Sequence, residues 1–143
     1  MKEYVSVDVE TTGLAPKQDK IIEIGAVRVR DGQIVESFTS FVNPGRILPA
    51  HITELTGILQ EQVDEAETME SVLPAFLEFA GDLPLAGHRI LFDYGFLKRA
   101  AVNMRLDFER SGVDTLKLSR QFLSELPSRR LSALCEHFEI PIQ

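Results

Sequence analysis

Cysteine is nearly missing from this chain: Cys135 is the only one in 143 residues. No intrachain disulfide can form, which excludes a disulfide-stapled scaffold and points to a reducing compartment. Long apolar runs are missing too. Met1-Lys2-Glu3 leads into a short apolar run broken at Asp8, without the apolar stretch of a signal peptide. No run approaches the ~18 apolar residues of a membrane span. A soluble cytoplasmic protein with no membrane partner is expected. Basic charge is in deficit: 15 Lys and Arg face 22 Asp and Glu, a net charge of -7. That excludes a broadly basic, histone-like surface as the overall design. A metal-bridged route to phosphate stays open, because bound cations invert the local charge logic. There is no internal repeat, low-complexity tract or linker. Hydrophobic residues make up 44% and charged residues 26% of the chain, an ordinary globular composition. The length suits one domain over residues 1–143, large enough to bury a core.

The pattern reads as strands first and helices later. Tyr4 to Val9 is a short β-rich run. Ile21 to Arg30 alternates, with Arg28 and Arg30 on one face and Val27 and Val29 on the other. Asp31-Gly32 is a hairpin signal, so Gln33 to Val42 becomes a third strand, ended by Asn43-Pro44-Gly45. These runs predict an antiparallel three-strand meander. A short helix over His51 to Thr56 is closed by Gly57. Met69, Val72, Leu73, Phe76, Leu77 and Ala80 form a helical stripe, with Pro74 inside it as a candidate kink. Leu83 to Ala86 reads as a short strand. The next helix shows Phe92, Phe96, Leu97 and Ala100 on one face. Val113 to Thr115 reads as a strand end and N-cap opening a helix to about Leu123, and Arg129 to Phe138 as a last helix, with Cys135 on its apolar stripe as plain core. Together these predict an α/β fold: a central mixed sheet flanked by helices.

Two carboxylate placements stand out. Asp and Glu are poor strand residues, yet Val7-Asp8-Val9-Glu10 carries both. Alternation puts Asp8 and Glu10 on one side, roughly 6–7 Å apart along the strand, and turns Val7 and Val9 to the core. Asp93 falls on the apolar stripe of its helix, where a lone carboxylate is costly unless paired, protonated or bound to metal. Each has a plain alternative: a solvated strand face for the first pair, and an N-terminal helix charge favoured by the dipole for Asp93. Taken together, the three suit hard divalent ions such as Mg²⁺ or Mn²⁺. Two such ions about 3.5–4 Å apart are the usual means of phosphodiester hydrolysis, with Asp8 at the centre as the bridging ligand. Thr11-Thr12-Gly13-Leu14 adds hydroxyls and a glycine that lets backbone approach a phosphate or sugar, or simply makes a turn.

The same residues carry a resemblance. Val7-Asp8-Val9-Glu10-Thr11-Thr12-Gly13-Leu14 resembles the first motif of the DEDD 3′–5′ exonucleases, the family of the proofreading epsilon subunit of bacterial DNA polymerase III and the exonuclease domain of PolC-type polymerases. Ile21 to Val27 is similar to the family's second strand. Ile52-Thr53-Glu54-Leu55-Thr56-Gly57-Ile58 resembles its segment beside the terminal nucleotide. Gly87-His88-Arg89-Ile90-Leu91-Phe92-Asp93 resembles its second motif. Asp114 to Arg120 and Leu131 to Phe138 resemble the stretch leading to its third. The resemblance covers nearly the whole chain and implies an RNase H-like fold. It implies metal-dependent release of nucleoside monophosphates from a 3′ end. It implies that Asp8, Glu10 and Asp93 hold two divalent cations, Mg²⁺ or Mn²⁺. Thr11, Thr12, Gly13 and Leu14 would line the last nucleotide, and Leu55 and Thr56 would border its base and sugar. Phe92 would pack near the penultimate base, or serve as plain helix core.

The sequence departs from the family in two places. Where the second motif often reads Gly-His-Asn, position 89 is Arg. Arg89 either reaches substrate phosphate or faces solvent. The family's third motif, His-x-Ala-x-x-Asp on a final helix, supplies a general base and a fourth carboxylate. None of His51, His88 or His137 fits it, and the chain ends at Gln143. The family's final helix is thus absent from this chain. Either the sequence is a piece of a longer protein or a naturally shortened, impaired member; the family pattern held through Ile140 favours the first. Three functions are carried forward. One is a proofreading or repair exonuclease acting on single-stranded 3′ ends of DNA. The second is an RNA-trimming enzyme of the same fold, separated from it by the 2′-OH. The third is a non-catalytic module that binds nucleic acid or a DNA polymerase subunit. Lys98, Arg99, Arg105, Arg110, Arg120, Arg129 and Arg130 either border a DNA track or are scattered surface charge.

Overall fold

The computed structural model describes residues 3–109 and 112–114. Three successive β-rich runs build the antiparallel part of the sheet: β1 (Glu3–Thr11), β2 (Ile21–Arg30) and β3 (Gln33–Phe41). Asp31 and Gly32 join β2 to β3 with φ of 50° and 79°, the left-handed pair that a two-residue hairpin turn requires. Four helices follow in chain order: α1 (Ala50–Thr56), α2 (Gln60–Asp64), α3 (Met69–Ala80) and α4 (Ile90–Asn103). Between the last two lies β4 (Leu85–Gly87), and β5 (Gly112–Asp114) comes after α4. The sheet order is β3-β2-β1-β4-β5. β1 pairs antiparallel with β2 and parallel with β4, and β4 pairs parallel with β5. The expected mixed sheet with an antiparallel meander is present.

Burial follows the alternation of the strands. Val5 and Val7 are wholly buried and Val9 nearly so, on one face of β1. They meet Val72, Leu73 and Phe76 from α3 and Phe96 and Leu97 from α4 in the main core. Ile22 heads a second cluster with Leu48, Ile52, Ile58 and Val63, which anchors α1 and α2. α3 runs unbroken through Pro74, whose ring faces solvent. Gly57 closes α1 in a left-handed conformation, its N–H bonded to the Thr53 carbonyl.

Most boundaries shift by at most one residue, and three differences from expectation are larger. β1 runs two residues past Val9, because Glu10 and Thr11 complete the ladder with Glu23 and Ile21; pairing overrides the low strand propensity of Glu. β4 begins at Leu85 rather than Leu83, after Pro84, which has no N–H to give but accepts a bond from Val5 N at 2.9 Å. α2 had no counterpart in the sequence reading, since five residues carry too little periodicity. The helices expected after Thr115 and over 129–138, with Cys135, lie outside the described residues. No helix among the described residues is long and apolar enough to cross a membrane.

Candidate active site

Asp8 and Glu10 project from the face of β1 opposite Val7 and Val9. Gly25 of β2 sits directly across from Asp8, so no side chain crowds Asp8 from that strand. Glu23 lies directly across from Glu10 on the same face and brings a further carboxylate to the group.

Asp93 enters from the first turn of α4. Its first-turn place agrees with a helix N-terminal charge, but at only 3% exposed it is also a buried carboxylate. Its approach depends on Gly87: a Cβ there would fall 2.7 Å from the Val7 carbonyl oxygen and 3.3 Å from Asp93 Oδ2. Glycine at the end of β4 is what lets β1, β4 and the start of α4 close together.

Burial and mutual repulsion govern the charges. Burial, then the Asp8 charge, push the Asp93 carboxyl up to about 8, while the Val9 N–H and the Arg89 guanidinium oppose the rise. Burial, then Asp8 and Glu23, raise Glu10 to about 7. Asp8 rises through burial, held back by His88 and the Val9 N–H. Burial and Asp8 also raise Glu23. None of these four carboxylates has an ion-pair partner among the described residues.

The group opens into a cleft of about 400 Å³. Asp8, Glu10, Thr11, Gly13 and Leu14 line it from β1 and its turn, His51, Leu55 and Thr56 from α1, and His88, Arg89, Phe92 and Asp93 from the start of α4. Leu14 and Leu55 stand on its rim, 77% and 79% exposed. The Phe92 ring lies 5.0 Å from that of Phe96 and also lines the cleft, so it joins core and wall.

Of the residues expected to hold metal or line the terminal nucleotides, Thr12 alone is not part of the lining, and of the candidate basic track Lys98, Arg99 and Arg105 do not line it either. Thr12 is buried, and its Oγ1 accepts a bond from Lys20 N at 3.0 Å and donates to Asp19 Oδ1 at 3.3 Å. Its role is to hold the turn. Gly13 belongs to that arrangement, because a Cβ on it would overlap the Asp19 carboxylate. Thr11 Oγ1 donates to the Gly13 carbonyl at 2.6 Å, and Thr56 Oγ1 donates to the Ile52 carbonyl at 2.8 Å. Both threonines reach the cleft with hydroxyl protons already engaged.

Sequence reasoning missed Glu23, His51 and His88. Glu23 needs the β1–β2 register to be seen beside Glu10. From sequence, His51 and His88 are weighed only against the third motif, which neither fits, and have no place in the site. His88 Nδ1 is buried without a hydrogen-bond partner among the described residues.

The donor set suits a hard divalent cation: clustered oxygen ligands, no competing cation bound to them, and an open space beside Asp8. Among the described residues no three His, Cys, Asp or Glu side chains are drawn closely enough to cage an ion unaided.

Comparison with known proteins agrees with this geometry. The family model described as Exonuclease matches residues 5–143. The chain belongs to the exonuclease family. Among curated relatives, DNA polymerase III PolC-type of Clostridium perfringens is 43% identical over 141 residues, covering 99% of this chain and 10% of that protein. The PolC-type protein of Bacillus subtilis is 42% identical over 142 residues, covering 97% of this chain and 10% of its own length. The exonuclease-family chain thus spans about a tenth of the length of these relatives. Among solved structures, E. coli exonuclease I in complex with a dT13 oligonucleotide superposes with a TM-score of 0.75 at 18% identity, covering 100% of this chain and 37% of that one. A product-bound exonuclease I gives 0.73 at 17% identity, with coverages of 100% and 40%. At such identities the likeness is one of fold, and it agrees with the RNase H-like architecture expected from sequence.

Proposed function

We propose that this chain is the exonuclease part of a DNA-processing enzyme, removing nucleotides from single-stranded 3′ ends in the manner of a proofreading nuclease. The observation that carries the reading is the convergence of Asp8, Glu10 and Asp93, without ion-pair partners, in a cleft with an apolar rim. The PolC-type names of the curated relatives and the oligonucleotide held by exonuclease I support DNA as the substrate and a polymerase as the partner.

Asp8, Glu10 and Asp93 would hold a pair of divalent cations, Mg²⁺ or Mn²⁺. Such ions, when bound, lower the pKa of an attacking water and stabilise the leaving oxygen. The chain's own residues do the rest. Asp8 and Glu10 present oxygens from a rigid strand, so their spacing does not depend on loop order. Asp93, fixed by the α4 turn and by Gly87, closes the other side. Leu14 and Leu55 offer apolar surface to a terminal base, and Gly13 lets backbone come close to the sugar and phosphate. The third-motif His and Asp do not occur in this sequence, so no residue of that motif takes the proton from water; a missing general base lowers the rate by ~10²–10⁴.

The test is incubation of 5′-labelled single-stranded DNA with the chain and Mn²⁺, beside a Glu10→Ala variant. A ladder shortening stepwise from the 3′ end, absent with the variant, is expected. Products shortened from the 5′ end, or a ladder that Glu10→Ala leaves unchanged, would refute the assignment. A chain that binds Mn²⁺ but cuts nothing would refute the sufficiency of these three carboxylates.

A further inference from the structure

We propose that Arg89 is a phosphate-anchoring residue of this cleft, taking a backbone phosphate of the substrate strand with its guanidinium held over the Phe92 ring. The proposal rests on the nuclease reading above and deepens it.

Arg89 lines the same cleft as Asp8, Glu10 and Asp93. It is near enough to Asp93 to stabilise that carboxylate's charge, yet it forms no ion pair with any carboxylate among the described residues. Its guanidinium carbon sits 4.8 Å from the centroid of the Phe92 ring. A guanidinium attracted to a ring face by its charge keeps N–H donors for an acceptor. No hydrogen bond joins those donors to another described residue, and Arg89 is exposed. The side chain is therefore ordered by an apolar contact while its donors stay free.

The chemistry of the cleft says what those donors suit. Among the described residues, apart from His51 and His88, Arg89 is the only basic one lining a wall that holds three carboxylates. A polyanionic strand entering there meets repulsion that metal ions relieve at the reacting phosphate. A neighbouring phosphate needs its own cation, and a forked guanidinium matches a phosphate's paired oxygens. The asparagine of the family pattern at this place has no charge to offer, so the contact would be a property of this chain. Phe92 acquires a positioning role: it holds the fork rather than touching the phosphate.

The test is fluorescence anisotropy of a 5′-fluorescein oligothymidylate, made with a phosphorothioate 3′ linkage so that it persists, titrated in Mn²⁺ over a range of salt. Loss of one phosphate contact from a single strand lowers the slope of log K against log[salt] by about 0.7. Arg89→Ala is expected to weaken binding about tenfold at low salt and to reduce the slope by that amount. Arg89→Gln, which keeps the size and loses the charge, should do the same, and Arg89→Lys should restore the slope. Affinity and slope unchanged in Arg89→Ala and Arg89→Gln would overturn the proposal while leaving the nuclease reading intact. An unaltered chain that binds no oligonucleotide would overturn both.

Discussion

Asp93→Asn should stabilise the metal-free protein at neutral pH. The native carboxyl is pushed up from its ordinary 3.8 to about 8, first by burial and then by Asp8. An unfolded chain loses that proton near 3.8, whereas the native state keeps it to about 8. As pH rises between those values, the unfolded state gains about 1.4 kcal/mol per pH unit. At pH 7 the penalty on folding is on the order of 4 kcal/mol, and below pH 3.8 it vanishes because both states hold the proton. Asp8 and Glu10 share in the titration, so a single substitution should recover about 2–4 kcal/mol. Asparagine keeps the shape and can still accept from the Val9 N–H, so no cavity offsets the gain. Urea unfolding in EDTA at pH 4, 6 and 8 measures it: the variant should match the unaltered chain at pH 4 and exceed it increasingly above. With Mn²⁺ the order should narrow or reverse, since ligand binding adds about 2.7 kcal/mol at 100 times Kd and the variant lacks a ligand. A variant less stable than the parent at pH 8 in EDTA would show that Asp93 is neutralised by a group outside this account, and the metal-site argument would lose its electrostatic basis.

Gly87→Ala should lower stability by about 1–3 kcal/mol, because its Cβ would meet the Val7 carbonyl at 2.7 Å, a backbone atom that cannot turn away; an unchanged Tm would contradict the tight closure of β4 on β1. Leu55→Ala should leave stability within about 0.5 kcal/mol, as expected of a side chain 79% exposed, yet weaken oligonucleotide binding about fifteenfold, near the worth of two buried CH₂ groups. Equal affinity in an anisotropy titration would remove Leu55 from the substrate wall.

The sequence made much of this legible, for identifiable reasons. Strand alternation placed Asp8 and Glu10 on one face and Val7 and Val9 on the other, a property of period two that needs no tertiary knowledge. The stripe through Phe96, Leu97 and Ala100 put Asp93 on a buried face, and the main core contains Phe96 and Leu97 just below it. What stayed hidden depended on pairing. Glu23 joins the carboxylates only through the β1–β2 register, and a shift of one residue would have turned it to the other face. Thr12 shared a polar tetrapeptide with true cleft residues, but the turn closes through Asp19 and Lys20 and draws its hydroxyl inward. No local pattern distinguishes a threonine that holds a turn from one that faces a ligand.

The charges left without partners fit together. A buried carboxylate is a costly arrangement for a fold that had only stability to satisfy, and an Arg89–Asp93 ion pair would have relieved it. Here Arg89 is drawn aside onto Phe92, and Asp93 faces Asp8 and Glu10, whose charges raise it further. Separating the two keeps the acidic group available to cations and the guanidinium available to an anion. On the proposed reading, a divalent ion held by Asp8, Glu10 and Asp93 would lower the repulsion felt by an incoming phosphate. By linkage, whatever factor the metal adds to strand affinity the strand returns to metal affinity. Under the proposed function, the open carboxylate set and the unpaired Arg89 would belong to one electrostatic arrangement, the first turned toward metal and the second toward a polyanion.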